Sequence, residues 1–225
     1  MSRELNILVL ISGSGSNLQA LIDASAKGLL GHARIHRVIS SLADAYGLTR
    51  AANHQIPSQV HRLKEYYASI PKEDKEGRKA AREQFNTDLA NIVVHGSKHG
   101  SVADYVRPDL VVCAGWMLIL SPAFLNVVAE VNLPIINLHP ALPGAFDGTH
   151  AIDRAWQAGQ DGLITEGGVM IHKVIVEVDR GEPLLVKKLD LRKDETLEQY
   201  EERVHSTEHV AIVEGTKLAL DEVKL

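Results

Sequence analysis

Cysteine is almost absent from this chain. Cys113 stands alone, so no intramolecular disulfide can form and no thiolate cluster can hold a metal. A lone thiol favours a reducing compartment. Aromatic residues make up only 4% of the sequence, which leaves the core to aliphatic side chains. No apolar run reaches the roughly 18 residues that a membrane-crossing helix needs. The amino terminus opens directly into LNILVLI, without the basic flank and small-residue cleavage site of a secretory leader. The expected location is cytoplasmic, with no membrane partner. A basic stripe is lacking too: the net charge is -5 and both signs are interspersed. The phosphate contacts that dominate nucleic-acid affinity therefore have no footprint, and no nucleic-acid partner is expected. A small anionic substrate stays compatible with this charge, because backbone donors bind phosphate inside a protein of net negative charge.

What is present is the composition of a soluble globular protein, 225 residues with 45% hydrophobic and 24% charged. Leu5 to Ile11 is a continuous apolar run ending in a Gly/Ser cluster, the pattern of a strand buried on both faces. Ser16-Asn-Leu-Gln19 has the spacing of a capping box, and Leu18, Leu21 and Ile22 recur at helical spacing up to Gly28. The alternation continues with a strand at 33–40, a helix at 45–54, a short strand near 59–62 and a helix around Phe85, Leu89, Ile92 and Val93. The charged stretch 64–82 is a solvated insertion or the exposed start of that helix. Strands at 109–114 and 134–138 flank a helix opened by Ser121-Pro122 and running to about Glu130. Repeated βα units of this kind predict an α/β fold with a mostly parallel central sheet and flanking helices. Then the pattern changes. Runs at 169–178 and 184–191, separated by DRGEP, predict an antiparallel hairpin at the sheet edge, and Thr196-Leu-Glu-Gln199 is a second capping-box pattern opening a long helix. With no repeat or linker visible, residues 1–225 read as one domain.

The first βα loop, SGSGSN (Ser12 to Asn17), is the strongest local feature. Its glycines permit positive φ and close backbone approach, and the helix that follows offers unpaired N–H groups to an anion. It is neither GxGxxG nor a Walker loop, so it reads as a phosphate site without a nucleotide fingerprint, or as a Gly-rich turn joining strand to helix. In INLHPALPG, Asn137 and His139 share one side of a strand end, backed by Pro140 and Pro143. Ligands in open parallel sheets collect at such carboxyl ends, which brings the pair to the edge holding the SGSGSN loop. An asparagine amide can donate to the oxyanion of a tetrahedral intermediate while a histidine moves a proton between attacking and departing nitrogens. Cys113, in the buried run DLVVCAG, is a poor nucleophile candidate. Asp179 in VEVDRGEP is either ordinary turn chemistry or a carboxylate that raises the pKa of His139. His95 with His99, and His205 with His209, have i,i+4 spacing but no third ligand, so they read as exposed helical histidines and no metal is expected.

These blocks together, ISGSGSNLQALIDA, CAGWMLILSPAF, INLHPALPG, VDRGEP and RVHSTEH, in this order over nearly the whole chain, resemble the phosphoribosylglycinamide formyltransferases. The resemblance implies a Rossmann-like formyltransferase fold, with phosphate-binding βα units in the amino-terminal half and the folate site and catalytic residues in the carboxyl-terminal half. It implies transfer of a formyl group from the cosubstrate 10-formyltetrahydrofolate to the amine of phosphoribosylglycinamide in purine biosynthesis, with small-molecule partners only and no metal. By motif, Gly15, Ser16 and Asn17 would hold the ribose phosphate and neighbouring groups of the glycinamide substrate, and Glu208 would contact its glycinamide end. Met117, Leu118, Ile119, Leu120 and Asn137 would line the folate pocket, with Arg82 nearby. Asn137 would stabilise the oxyanion, His139 would donate the proton and Asp179 would raise the histidine pKa. Three departures stand out. Leu118 replaces an arginine of many relatives, ALPGAFDGTH replaces the usual loop after the histidine, and His205 replaces a glutamine.

Other formyltetrahydrofolate enzymes, the methionyl-tRNA formyltransferases and the hydrolases, share Asn-x-His and the distant aspartate. A phosphate-binding α/β module without catalysis is the alternative from a different class. It would need Asn137, His139 and Asp179 all to be present by accident, and a ligand-bound structure with the three dispersed would support it.

Overall fold

The structure, a computed structural model, describes residues 3–223. Along the chain it forms β1 (Leu5–Ile11), α1 (Ser16–Ala26), β2 (Ala33–Ser40), α2 (Tyr46–Asn53), β3 (Ser58–Val60), α3 (Leu63–Tyr66) and α4 (Lys75–His95). Next come the short β4 (Gly96–Ser97) and β5 (Gly100–Ser101), then β6 (Leu110–Cys113), α5 (Pro122–Glu130) and β7 (Ile135–His139). The chain continues through α6 (Ala151–Gln160), β8 (Glu166–Lys173), β9 (Pro183–Asp190) and α7 (Leu197–Val223). Among the described residues no helix is long and apolar enough to cross a membrane.

Seven strands make one sheet in the order β3-β2-β1-β6-β7-β8-β9. The pairs from β3 to β7 are parallel, whereas β7 with β8 and β8 with β9 are antiparallel, which is the predicted edge hairpin. The period-2 geometry of β1 divides the core between the two faces of the sheet. Leu5, Ile7, Val9 and Ile11 join Leu18 and Leu21 of α1 and Tyr200, Val204 and Ile212 of α7. Leu8 and Leu10 turn the other way, toward Phe85 and Leu89 of α4 and Phe124 and Val128 of α5. Burying both faces is what the unbroken apolar run of β1 requires, and each fully buried Leu or Ile contributes about 1.5–3 kcal/mol relative to exposure.

The order reverses between β1 and β6. β1 has β2 on one side and β6 on the other, so the chain leaves their carboxyl ends in opposite directions and opens a crevice there. The loops after β1, β6 and β7 all start at this crevice.

Several local expectations need correction. The capping box read at Ser16 does not form: Gly15, at φ 69°, is the cap residue of α1 and no side chain caps the helix. The second box does form, Gln199 N donating to Thr196 Oγ1 at 3.3 Å and Thr196 N to Gln199 Oε1 at 3.0 Å. β8 stops at Lys173, and 174–182 is a loop rather than the end of a strand. His99 lies beyond the end of α4, in the β4–β5 turn, so the His95 and His99 pair is not helical. The charged stretch 64–82 splits between α3, a turn and the start of α4, which Asp74 caps by accepting from Gly77 N at 2.8 Å.

Candidate active site

At the crevice lies a cavity of about 940 Å³. Gly15, Ser16 and Asn17 from the β1 loop, Met117 to Leu120 from the β6 loop, Asn137 and His139 from β7, Asp179 from the loop after β8 and Glu208 from α7 all stand on its wall. Arg82 is the exception among the expected residues. It is exposed on α4 outside the cavity wall, and its Nε donates to the Tyr67 hydroxyl at 3.2 Å. A second cavity of about 540 Å³ opens near Pro134 and Asp109, at the other end of the sheet. Much of its charge is internally paired, Arg3 with Asp109 at 2.5 Å and Lys173 with Glu222 at 3.2 Å, so it offers no unmet donor set of comparable strength.

The β1 loop is shaped by α2 as much as by any ligand. Gly15 holds φ at 69°, and a Cβ there would stand 2.5 Å from Gly47 Cα, so only glycine lets the two segments meet. The result is an α1 whose first turn carries no acidic residue and no side-chain cap, leaving its first N–H groups open beside the cavity. Among the described residues no lysine or arginine lines the wall. Behind the loop stands the guanidinium of Arg50 on α2, tied to Ser14 O at 2.9 Å and to Gln19 at 3.3 Å. Ser12 links this loop to the next: its Oγ accepts from Met117 N at 2.9 Å and from Ser41 Oγ at 2.6 Å. From the other side α4 holds Ser121, whose N donates to Asn86 Oδ1 at 3.0 Å and whose Oγ donates to Glu83 at 2.8 Å. The segment Met117–Leu120 is thus strung between two fixed ends, with Met117 and Ile119 exposed and Leu120 buried.

Asn137 and His139 lie on one side of β7, as their spacing requires. Opposite Asn137 in the antiparallel register sits His172 of β8, a buried histidine that the sequence reading passed over. Its Nδ1 is 2.9 Å from the Lys173 carbonyl, which can only accept, so Nδ1 carries the proton. Nε2 lies 3.2 Å from the Asn137 amide nitrogen and 3.6 Å from the Asp179 carboxylate. This seats the asparagine amide against His172 and leaves an N–H available to a developing oxyanion.

Asp179 completes the group. Its carboxylate is 3.5 Å from His139 Nδ1 and 3.6 Å from His172 Nε2, and it accepts from Gly148 N at 2.8 Å. Burial works against its charge, yet the His172 side chain, the Gly148 N–H and His139 outweigh it and hold the carboxyl below its ordinary value. On His139 burial acts first and pushes the imidazole down. Asp179 and the Phe146 carbonyl, 3.2 Å from Nε2, push it back up without cancelling that effect. The carboxylate therefore works in the expected direction, but the net shift of the histidine is downward.

On the far wall burial raises the Glu208 carboxyl above its usual range, opposed by His205 and by Asn17, whose amide donates to it at 3.4 Å. Cys113 also touches the cavity, but burial pushes its thiol up to about 12, which leaves it protonated and unreactive at neutral pH.

An asparagine donor, a buried histidine and a carboxylate beside an uncapped helix N-terminus are chemically capable of acyl transfer to a small anionic substrate. Comparison with known proteins agrees with that chemistry. The family described as formyl transferase matches residues 5–216. The chain belongs to the formyl transferase family. It is thus a formyl-transferring enzyme. The phosphoribosylglycinamide formyltransferase of Saccharomyces cerevisiae is 54% identical to it over 221 residues, covering 96% of this chain and 98% of that one. The corresponding protein of Schizosaccharomyces pombe is 44% identical over 211 residues, 93% of this chain and 94% of that one. Among solved structures, the glycinamide ribonucleotide transformylase 1 of Symbiobacterium toebii superposes with a TM-score of 0.77 at 28% identity, covering 99% of this chain and 90% of that one. For this formyltransferase the residues around the cavity that spacing missed are His172 and Arg50. Only strand register could have found His172, because it reaches the site by pairing across to Asn137.

Proposed function

We propose that this formyltransferase moves the formyl group of 10-formyltetrahydrofolate to the amine of phosphoribosylglycinamide, a step of purine biosynthesis. One observation carries the reading: a single cavity joins an uncapped helix N-terminus to the cluster of Asn137, His139 and Asp179. The names of the relatives that match over nearly their full length support the choice of acceptor.

In this reading the ribose phosphate takes the first N–H groups of α1 at Gly15, Ser16 and Asn17, with Arg50 behind them, and Glu208 receives the substrate's polar hydrogens. The folate lies along Met117, Leu118, Ile119 and Leu120, whose open backbone groups and apolar side chains suit a flat heterocycle, and Asn137 touches both substrates. The glycinamide nitrogen attacks the formyl carbon and a C–N bond forms. The carbonyl oxygen takes the negative charge and is met by the free N–H of Asn137. His139, as imidazolium, passes its Nε2 proton from the Phe146 carbonyl to the departing folate nitrogen as that C–N bond breaks, and the proton shed by the attacking amine restores the imidazolium. Asp179 stabilises the charged ring. The products are formylglycinamide ribonucleotide and tetrahydrofolate. Residues 1–225 act in this scheme as one catalytic unit, and no metal enters it.

The test is direct. Purified protein is incubated with 10-formyltetrahydrofolate and either phosphoribosylglycinamide or water alone, and tetrahydrofolate release is followed. Release that depends on phosphoribosylglycinamide supports the reading. Equal release without it would identify a hydrolase instead.

A further inference from the structure

Arg154, on α6, is exposed, lies outside the cavity wall and has no part in the mechanism above. Yet its Nη2 donates to the carbonyl oxygens of Phe146 at 2.7 Å and Asp147 at 2.6 Å, and its Nε to that of His150 at 3.3 Å. The same guanidinium stands 5.7 Å from the centre of the Phe146 ring. Phe146 needs such holding. At φ 53° it occupies the left-handed region, which a bulky side chain adopts only when its surroundings impose it.

The loop so pinned touches both members of the histidine and aspartate pair. The Phe146 carbonyl faces His139 Nε2 at 3.2 Å, and Gly148 N donates to Asp179 at 2.8 Å. On the other side Arg180 binds the Asp147 carboxylate at 2.5 Å. Both ring nitrogens of His139 therefore face acceptors, Asp179 at Nδ1 and Phe146 O at Nε2. Only the imidazolium can donate to both, so this arrangement favours the charged ring.

We propose that Arg154 is a positioning residue for His139: it holds the Phe146 carbonyl where it accepts from Nε2, and so fixes the imidazole with Nδ1 toward Asp179. The catalytic meaning of this rests on the proposed formyl transfer, but the structural claim does not. The charged and titratable groups facing His139 are Asp179 and Asp147 from the loops, the latter paired with Arg180, and His172 from β8. Removing the Arg154 cation alone would raise the titration midpoint of His139. Loss of the Phe146 acceptor lowers it, so the sign separates the positioning role from simple charge.

The experiment is a nuclear magnetic resonance titration of histidine-labelled protein without substrates, with His139 assigned through His139→Gln. In Arg154→Gln the midpoint of His139 is expected to fall by about one pH unit, the low end of the worth of a hydrogen bond to a charged group. Arg154→Lys, which keeps the charge and reaches a carbonyl without the Nε anchor, should fall less. In the formyl-transfer assay kcat should drop severalfold, with KM for both substrates changed less than kcat. An unchanged or raised midpoint in folded Arg154→Gln overturns the proposal. If that variant does not fold, the same titration of Arg154→Lys decides, since an unshifted midpoint with the carbonyl contacts disturbed refutes it equally. Failure of the unsubstituted protein to formylate phosphoribosylglycinamide would sink the proposed function, while the titration, which needs no substrate, still decides Arg154.

Discussion

Replacing Asp179 with asparagine preserves the shape of the side chain and an oxygen for Gly148 N–H, and removes only the charge. That charge lies 3.5 Å from His139 Nδ1, with both side chains largely buried. At an effective dielectric of about 20 such a pair is worth at most about 5 kcal/mol, and carboxylates at this range commonly shift a partner by about 1–3 pKa units. Burial already holds the imidazole below its ordinary value, so at neutral pH the charged form is a minority and nothing buffers a further fall. A drop of about 1–3 units therefore passes in full into the imidazolium population, and kcat at pH 7 should fall about 10- to 1000-fold. The pH profile carries the finer test. As pH falls, the unsubstituted enzyme levels off once His139 is charged, while Asp179→Asn keeps gaining until a lower pH, so the deficit shrinks on the acid side. Steady-state rates from pH 5 to pH 9 on a folded variant would show it. A kcat close to that of the unsubstituted enzyme at pH 7, or a loss equal at every pH, would refute the charge argument.

Asn137→Ala should lower kcat by about 10²–10³-fold if its free N–H meets the oxyanion, and an effect confined to KM would mark it as a substrate-positioning residue instead. Gly15→Ala should cost about 2–5 kcal/mol of stability, adding the left-handed penalty to the clash with Gly47 Cα; a urea midpoint equal to that of the unsubstituted protein would remove the steric account. His36, His61 and His139 are all pushed down, chiefly by burial, so the unfolded chain binds protons that the folded one refuses. Stability should be complete above the ordinary histidine value of about 6.5 and decline as pH drops from there toward the folded values. Asp179, also depressed in the folded state, adds a separate loss at lower pH, between the ordinary carboxyl value and its own folded one. Urea midpoints measured from pH 8 down to pH 3 that stay flat through the histidine window would contradict this.

The sequence carries the fold far because the central strands need no context. An unbroken apolar run such as Leu5–Ile11 has nowhere to go but a doubly covered parallel sheet, and Ser121-Pro122 sets a helix start by local chemistry alone. The errors fall where tertiary contacts override a local pattern. Ser16 has a capping-box spacing, but the approach of Gly47 drives Gly15 into the left-handed region and hands it the cap position. Val174 to Val178 is apolar enough for a strand, yet β8 ends at Lys173, and Val174 N leaves the hairpin to bond Ile135 O at 2.9 Å. Arg82 follows the motif but not the cavity, because the helix that carries it places Glu83 and Asn86, rather than Arg82, against Ser121. His172 had no local signal at all, since its role exists only through its register with Asn137.

Asp179 shows why a bland and a functional reading of one residue need not compete. The sequence offers it as a turn residue before Arg180-Gly181, or as a partner for a histidine forty positions earlier. In the structure its φ is 57°, a conformation that aspartate tolerates better than most residues, so it does the work of a turn. The same backbone state brings the carboxylate to face His139, His172 and the Gly148 N–H together. Phe146 at φ 53° and His150 at φ 57° stand in the loop it holds, so three non-glycine residues in the left-handed region surround the pairing of His139 with Asp179. Strain of this kind persists only where neighbouring contacts over-determine it, and the contacts that do so here, from Arg154, Arg180 and Gly148, also orient the imidazole. Local rules of turn formation are broken in the loop after His139 and obeyed at Asp179, and both outcomes serve the same alignment of a carboxylate with a buried histidine.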